Sequence, residues 1–167
     1  ANNDIFINAN INSSPRSLDL FFNAGNQITF TNSNVNTNGG DLTLNATQAL
    51  MTGIVNFAGD SPPFNFNLNA PLEVSGTLNL GVTGAEEFAF NTSPLNITSS
   101  GKIILNSGCG DGCGHLTFNN SVINDGLVEI GMGHITINSN FINNGTLSIN
   151  LPVDPSDAQA GVILVGG

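Results

Sequence analysis

Two stretches near the C-terminal end of the chain repeat one another. Residues 114–130 read GHLTFNNSVINDGLVEI, and residues 133–149 read GHITINSNFINNGTLSI, an offset of 19 residues. Gly114 matches Gly133, His115 matches His134, Thr117 matches Thr136, and Asn119 matches Asn138. Ile123, Asn124 and Gly126 match Ile142, Asn143 and Gly145. A repeat of this length is one supersecondary unit that cannot bury its apolar face alone, so neighbouring units must stack to share a core.

A looser echo runs upstream as glycine, any residue, apolar, any residue, apolar. It occurs at Gly40, Gly76, Gly101, Gly126 and Gly145. Phe66 and Leu68 precede Gly76 as Leu116 and Phe118 precede Gly126, and Ile28 and Phe30 stand similarly before Gly40. Unequal spacing is expected of one motif with loops inserted at its corners. The local period is two: Ile5-Ile7, Leu18-Leu20-Phe22, Phe64-Phe66-Leu68, Phe88-Phe90, Leu95-Ile97 and Ile135-Ile137 alternate with polar residues. That alternation places apolar side chains on one face of a strand. No window carries a 3.6 period; 155–160 has room for one helical turn.

These patterns predict an all-β fold, a right-handed parallel β-helix (β-solenoid) with about 19–25 residues per coil. Seven or eight coils at about 4.8 Å would give a rod of about 35–40 Å. Asn-Gly and Asp-Gly pairs suit its corners, since both residue types tolerate positive φ. Asn124 with Asn143, and Asn119 with Asn138, are placed to form amide ladders. The alternative is an antiparallel β-sandwich or jelly roll, which would also alternate but has no need of repeated corners. The solenoid is assigned to 1–151. A C-terminal segment, 152–167, follows the Pro152–Pro155 break.

Composition narrows the function. Charged residues are 8% of the 167, and net charge is −10 with Arg16 and Lys102 the only Lys or Arg. Average domains carry roughly 25% charged residues. Here 28 asparagines, with serine and threonine, keep the exterior polar. Phosphate-backbone binding needs clustered cations, so nucleic acid is excluded as a partner. No apolar run approaches the ~18 residues of a membrane helix, so no membrane insertion is expected. Ala1 opens the chain without a basic or apolar leader, as a mature exported chain or a piece of a longer one would.

The segments SLDLFFNAGNQITFTNSNVNTNGGDLTLNAT (17–47) and GHLTFNNSVINDGLVEIGMGHITINSNFINNGTLSIN (114–150) resemble filamentous-haemagglutinin-type repeats of two-partner-secretion exoproteins and adhesins. The resemblance implies a right-handed parallel β-helix, a cell-surface location and an attachment role. The Asn-Pro-Asn-Leu and Asn-Pro-Asn-Gly-Ile motifs of that family's secretion domain are absent.

Candidate sites are few. Cys109 and Cys113, in SGCGDGCGH, are expected to close a small disulfide loop. Asp111 and His115 lie near them, but a C-x3-C-x-H spacing lacks a usual fourth ligand, so no metal and no other cofactor is expected. His115 and His134 recur at the repeat distance; they either stack one coil apart or simply occupy a partly exposed corner position next to glycine. Thr117 and Thr136, extended by Thr43 and Thr29, would form an outward threonine ladder, an arrangement that suits strands and also ice or carbohydrate. Six N-x-[ST] sequons begin at Asn12, Asn45, Asn91, Asn96, Asn119 and Asn144, the candidate glycosylation acceptors. The twelve acids are scattered, with only Glu86-Glu87 adjacent, and no pair suited to general acid–base chemistry stands out. The chain is therefore expected not to be an enzyme.

The ends are unguarded. Ile5, Phe6 and Ile7 form an N-terminal edge strand. Val162, Ile163, Leu164 and Val165 form an apolar strand with no flanking charge, expected to cap the last coil or to contact the next subunit. The leading expectation is an extracellular structural protein: a subunit of a head-to-tail filament, or a section of a cell-surface adhesin stalk. Its partner would be a further copy, with a surface glycan as a second ligand. A monomeric carbohydrate-binding or ice-binding β-helix is the alternative, and a polysaccharide-degrading β-helix enzyme a third.

Overall fold

The computed structural model describes residues 3–13, 16–38, 40–59, 64–68, 70–82, 87–91, 94–107, 114–131, 133–149 and 163–165. The strands fall into rungs. The first holds β1 (Ile5–Ile7), β2 (Ile11–Asn12) and β3 (Leu20–Asn23). The second holds β4 (Gln27–Asn36) and β5 (Leu42–Asn45), and the third β6 (Gln48–Gly59) and β7 (Phe64–Leu68). The fourth is β8 (Leu72–Val74), β9 (Thr77–Val82) and β10 (Glu87–Phe90); the fifth is β11 (Leu95–Ile97), β12 (Lys102–Ser107) and β13 (Gly114–Phe118). The sixth is β14 (Val122–Asn124), β15 (Leu127–Ile130) and β16 (Gly133–Ile137). The last is β17 (Phe141–Asn143), β18 (Thr146–Ile149) and β19 (Ile163–Val165).

Each rung pairs in parallel with the next, and no helix interrupts the described residues. The fold is a right-handed parallel β-helix with three faces. Parallel pairing throughout rules out the antiparallel sandwich. The third face is a separate seven-stranded sheet, in the order β19-β16-β13-β10-β7-β5-β3. Seven strands are separated by six gaps, so the rod is about 29 Å long, shorter than expected.

The repeat reads directly as hydrogen-bond register. Gly114 pairs Gly133, His115 pairs His134 and Thr117 pairs Thr136. Ile123 pairs Ile142 and Asn124 pairs Asn143. The upstream echo needs correction. Gly76, Gly101, Gly126 and Gly145 occupy one corner, between the first and second faces. Gly40 instead leads β5 on the third face, where Leu42 pairs Leu20 and Phe66. Phe66 pairs Phe90, which pairs Phe118, so its equivalent is Phe118 and not Leu116. Loop length at the other corners changes sequence spacing without changing register.

The glycine corner has a steric cause. A Cβ on Gly76 would lie 2.1 Å from the Gly53 carbonyl oxygen, and one on Gly101 2.0 Å from that of Val74. At the bottom of the same column the backbone turns through positive φ at Asn32 (48°) and Gly53 (65°), conformations that asparagine and glycine tolerate best. There β4 and β6 run through the corner without a break, β4 with a register shift between Thr31 and Ser33.

Inward columns form the core. Ile28, Ala49, Leu72, Leu95 and Val122 stack along the first face, all buried. Phenylalanines stack as well: Phe30 meets Phe57 edge-on at 5.7 Å, and Phe90 meets Phe118 at 5.6 Å. Such pairs add about 0.5–1.5 kcal/mol beyond area burial.

Ser33 is an inward position that breaks the pattern. Ser33 heads the column Val55, Leu78, Ile103, Val128, and its buried Oγ has no hydrogen-bond partner among the described residues. A buried unmatched hydroxyl costs about 1–3 kcal/mol. Ser33→Ala removes it without adding volume, so the variant should be about 1 kcal/mol more stable than the parent, with a melting midpoint raised by about 2–4 °C. A calorimetric midpoint that falls would show that the hydroxyl has a partner after all.

Candidate functional site

Three features carry chemistry: the polar ladders, a groove on the first face, and the two ends of the stack.

On the second face, Asn10, Asn34, Asn56 and Asn79 rise in one outward column. Asn34 Nδ2 donates to Asn10 Oδ1 at 3.0 Å, and Asn79 Nδ2 donates to Asn56 Oδ1 at 2.7 Å. Asn56 Nδ2 donates to Asn34 Oδ1 between them. On the third face, Asn91 donates to Asn67, Asn119 to Asn91 and Asn138 to Asn119, at 3.0, 2.6 and 2.7 Å. Each rung satisfies amides of the rung below, which is how a surface so poor in charge stays hydrated and ordered.

The two histidines meet edge-on, with ring centroids 6.1 Å apart, and His115 Nε2 lies 2.6 Å from Thr136 Oγ1. Backbone register places Glu87 one rung below His115. The threonine ladder is shorter than expected. Thr117 and Thr136 are paired, but Ala89 and Asn65 precede them in that column, and Thr43 and Thr29 belong to other columns. Thr117 is also buried. A flat exposed threonine array is therefore not formed by these four residues.

Of the sequon asparagines, Asn12, Asn119 and Asn144 are exposed; Asn45, Asn91 and Asn96 are half-buried. Asn144 Nδ2 donates to Asp125 Oδ1 at 2.9 Å. Cys109, Cys113 and Asp111 lie outside the described residues, as do Glu86 and Val162.

An open groove of about 510 Å³ is lined by Glu73, Asn96, Ile97, Thr98, Ser99, Ile123 and Asp125. Sequence reasoning missed it, because Glu73, Asn96 and Ile123 become neighbours only through register. The Asn96 Oδ1 is buried without a hydrogen-bond partner among the described residues. Glu73 and Asp125 stand two rungs apart, about 10 Å along the rod. The lining offers two carboxylates, the hydroxyls of Thr98 and Ser99, and the aliphatic Ile123. No group of three or more His, Cys, Asp or Glu suited to a metal occurs among the described residues, and no helix there is long and apolar enough to cross a membrane.

Both ends of the stack are open edges among the described residues. β1 and β2 pair only β4, and β3 pairs only β5. At the other end β17, β18 and β19 pair only β14, β15 and β16. Ile163, Leu164 and Val165 thus continue the third face, on Ile135, Thr136 and Ile137; they complete the last rung. Among the described residues nothing covers the ends of the core columns. Ile5, Ile11, Leu20 and Phe22 are only partly buried at one end, and Phe141, Leu147 and Ile149 at the other. Phe6 and Phe21 in the first rung are 67% and 62% exposed, and Ile142 in the last is 52% exposed.

Comparison with family models, curated proteins and solved structures finds no match to this chain.

Proposed function

We propose that the chain is a section of an extracellular β-solenoid rod with a structural or adhesive role. In one form it is a subunit of a head-to-tail filament; in the other it belongs to a cell-surface adhesin stalk of the filamentous-haemagglutinin type. In both forms the next rung covers each open edge. The observation that carries this reading is the pair of parallel edges, open among the described residues, at which the apolar columns end. Exposed edges of this kind template further strands unless charge, proline or a covering element blocks them. The amide ladders fit a long uniform exterior, and the scattered acids fit a non-catalytic one.

The test is sedimentation velocity of the purified chain over a wide concentration range, with negative-stain imaging of the same samples. The filament form predicts elongated species that lengthen end to end as concentration rises. A single monomer up to millimolar concentration would overturn the filament form. The groove favours a second reading, a glycan-binding module acting as a monomer. It would be supported if that monomer were retained on a polysaccharide matrix and released by Asp125→Asn.

A further inference from the structure

We infer that the open end formed by β17 and β18 accepts a parallel rung whose corner reads Asn-x-Gly, and rejects a rung like the one that opens this chain. The inference rests on the rod reading in its stalk form, in which the covering rung belongs to a neighbouring section of the stalk; it excludes the filament form, in which the first rung of a second copy would cover this edge. Two features of the corner decide it.

The first is a buried amide. Asn124 is fully buried in a column that is otherwise apolar below it, through Val74 and Ile97. Its Nδ2 reaches the rung above, donating to Asn143 Oδ1 at 2.7 Å and to the Thr146 carbonyl at 3.0 Å. Its Oδ1 accepts the Gly126 N–H at 3.1 Å. Asn143 is the same residue one rung higher, and it is exposed. Moved up one rung, the arrangement requires an asparagine oxygen over Asn143 and a backbone carbonyl three residues further on. An aliphatic side chain over Asn143 would bury its N–H groups unmatched, at about 1–3 kcal/mol.

The second is the close backbone approach. A Cβ on Gly126 would sit 2.2 Å from the Gly101 carbonyl oxygen, and one on Gly145 2.2 Å from that of Gly126. The next residue in this column meets the Gly145 carbonyl in the same way, so only glycine fits there.

The first rung of this chain offers neither feature. In the first rung the equivalent positions are Ile7 and Ile11, four residues apart, with Ala9 between them. That rung would set an isoleucine over Asn143 and no glycine over Gly145. A Val-Ile-Asn-Asp-Gly-Leu-Val-Glu-Ile segment, as in 122–130, meets both requirements. The recognition is strand addition: main-chain bonds supply affinity and the corner supplies selectivity.

The experiment appends a segment to the intact chain through a flexible Gly/Ser linker at its C-terminus, holding it at roughly millimolar local concentration. One segment copies 121–131, one copies 121–131 with Gly126→Ala, and one copies 4–13. Hydrogen exchange is followed at the amides of 141–149 that face the open end. The expected result is exchange slowed about tenfold or more by the unaltered 121–131 segment alone, as occupancy at ten times the dissociation constant confers. Equal slowing by the 4–13 or the alanine segment overturns the corner selectivity while leaving the rod reading in place. No slowing by any segment overturns the inference, and the sedimentation result then shows separately whether the filament form survives.

Discussion

Replacing Gly126 by alanine is expected to cost about 3 kcal/mol or more, while the same replacement at Gly81 costs nothing. The new Cβ at 126 would lie 2.2 Å from the Gly101 carbonyl oxygen and 2.3 Å from that of Thr98. Both atoms belong to the backbone of the rung beneath, which is itself hydrogen-bonded: the Leu127 N–H donates to the Gly101 carbonyl at 3.0 Å. No rotamer change relieves the contact, so the rung must lift away. Lifting it breaks pairing on both sides, because the Gly126 carbonyl accepts the Thr146 N–H at 2.8 Å. At Gly81 the nearest atom to a new Cβ is the Phe57 oxygen at 3.8 Å, an ordinary contact. There alanine only restricts the unfolded chain, a gain of about 0.4–1 kcal/mol. Thermal unfolding by circular dichroism distinguishes the two, with a midpoint lower by about 6–12 °C for Gly126→Ala. In a solenoid each rung contacts only its neighbours, so the loss should concentrate in the rungs around 126. Equal midpoints for the two variants would mean that the corner opens more easily than its geometry implies.

The contrast between those glycines marks what the sequence could and could not convey. An offset of 19 residues with matching Gly, His, Thr and Asn was legible as stacked rungs because two adjacent rungs happen to have loops of equal length. The same register upstream was not legible by spacing. Between Phe90 and Phe118 an insertion separates β12 from β13, so equivalent residues drift apart in number while remaining bonded partners. Gly40 looked like a corner of the Gly76 type because it also precedes alternating leucines. Only pairing separates the third face from the second. The merging of two faces within β4 and β6 depends on the positive φ of Asn32 and Gly53, and neither residue carries a signal that sets it apart from other asparagines and glycines here.

The candidate surfaces divide in the same way. Open edges could be anticipated from Ile5–Ile7 and the 162–165 run, because charge and proline are absent from both. That 163–165 would complete the last rung on β16 could not, since 13 residues separate Ile149 from Ile163 and spacing says nothing about where such a segment returns. The groove was invisible for a simpler reason. Glu73, Asn96 and Ile123 are 23 and 27 residues apart and become one column only through parallel register.

Asn124→Asp is the second substitution with a large expected effect, and its pH dependence makes it diagnostic. The side chains are nearly isosteric, so packing is preserved and only donor chemistry changes. Asn124 Nδ2 faces two acceptors, Asn143 Oδ1 and the Thr146 carbonyl. A carboxylate there loses both donations and sets its charge against two oxygens in a fully buried position. Burial and the lone pairs both disfavour the ionised form, so the folded-state pKa of the new carboxyl rises above its unfolded value of about 4. Below that value the acid is protonated in both states and can donate one of the two bonds, and the variant should fall only about 1–2 kcal/mol short of the parent. As pH rises above it, the unfolded chain ionises first and the folded state holds the extra proton, so stability falls until the folded-state pKa is passed. At neutral pH the loss should reach about 3–5 kcal/mol, typical of an uncompensated buried charge. Urea unfolding of parent and variant at pH 4 and pH 7 measures the difference. A gap that widens with pH supports a buried amide donating into the rung above. A gap independent of pH would mean that the position is hydrated, and the selectivity assigned to the Asn-x-Gly corner would then lack its strongest support.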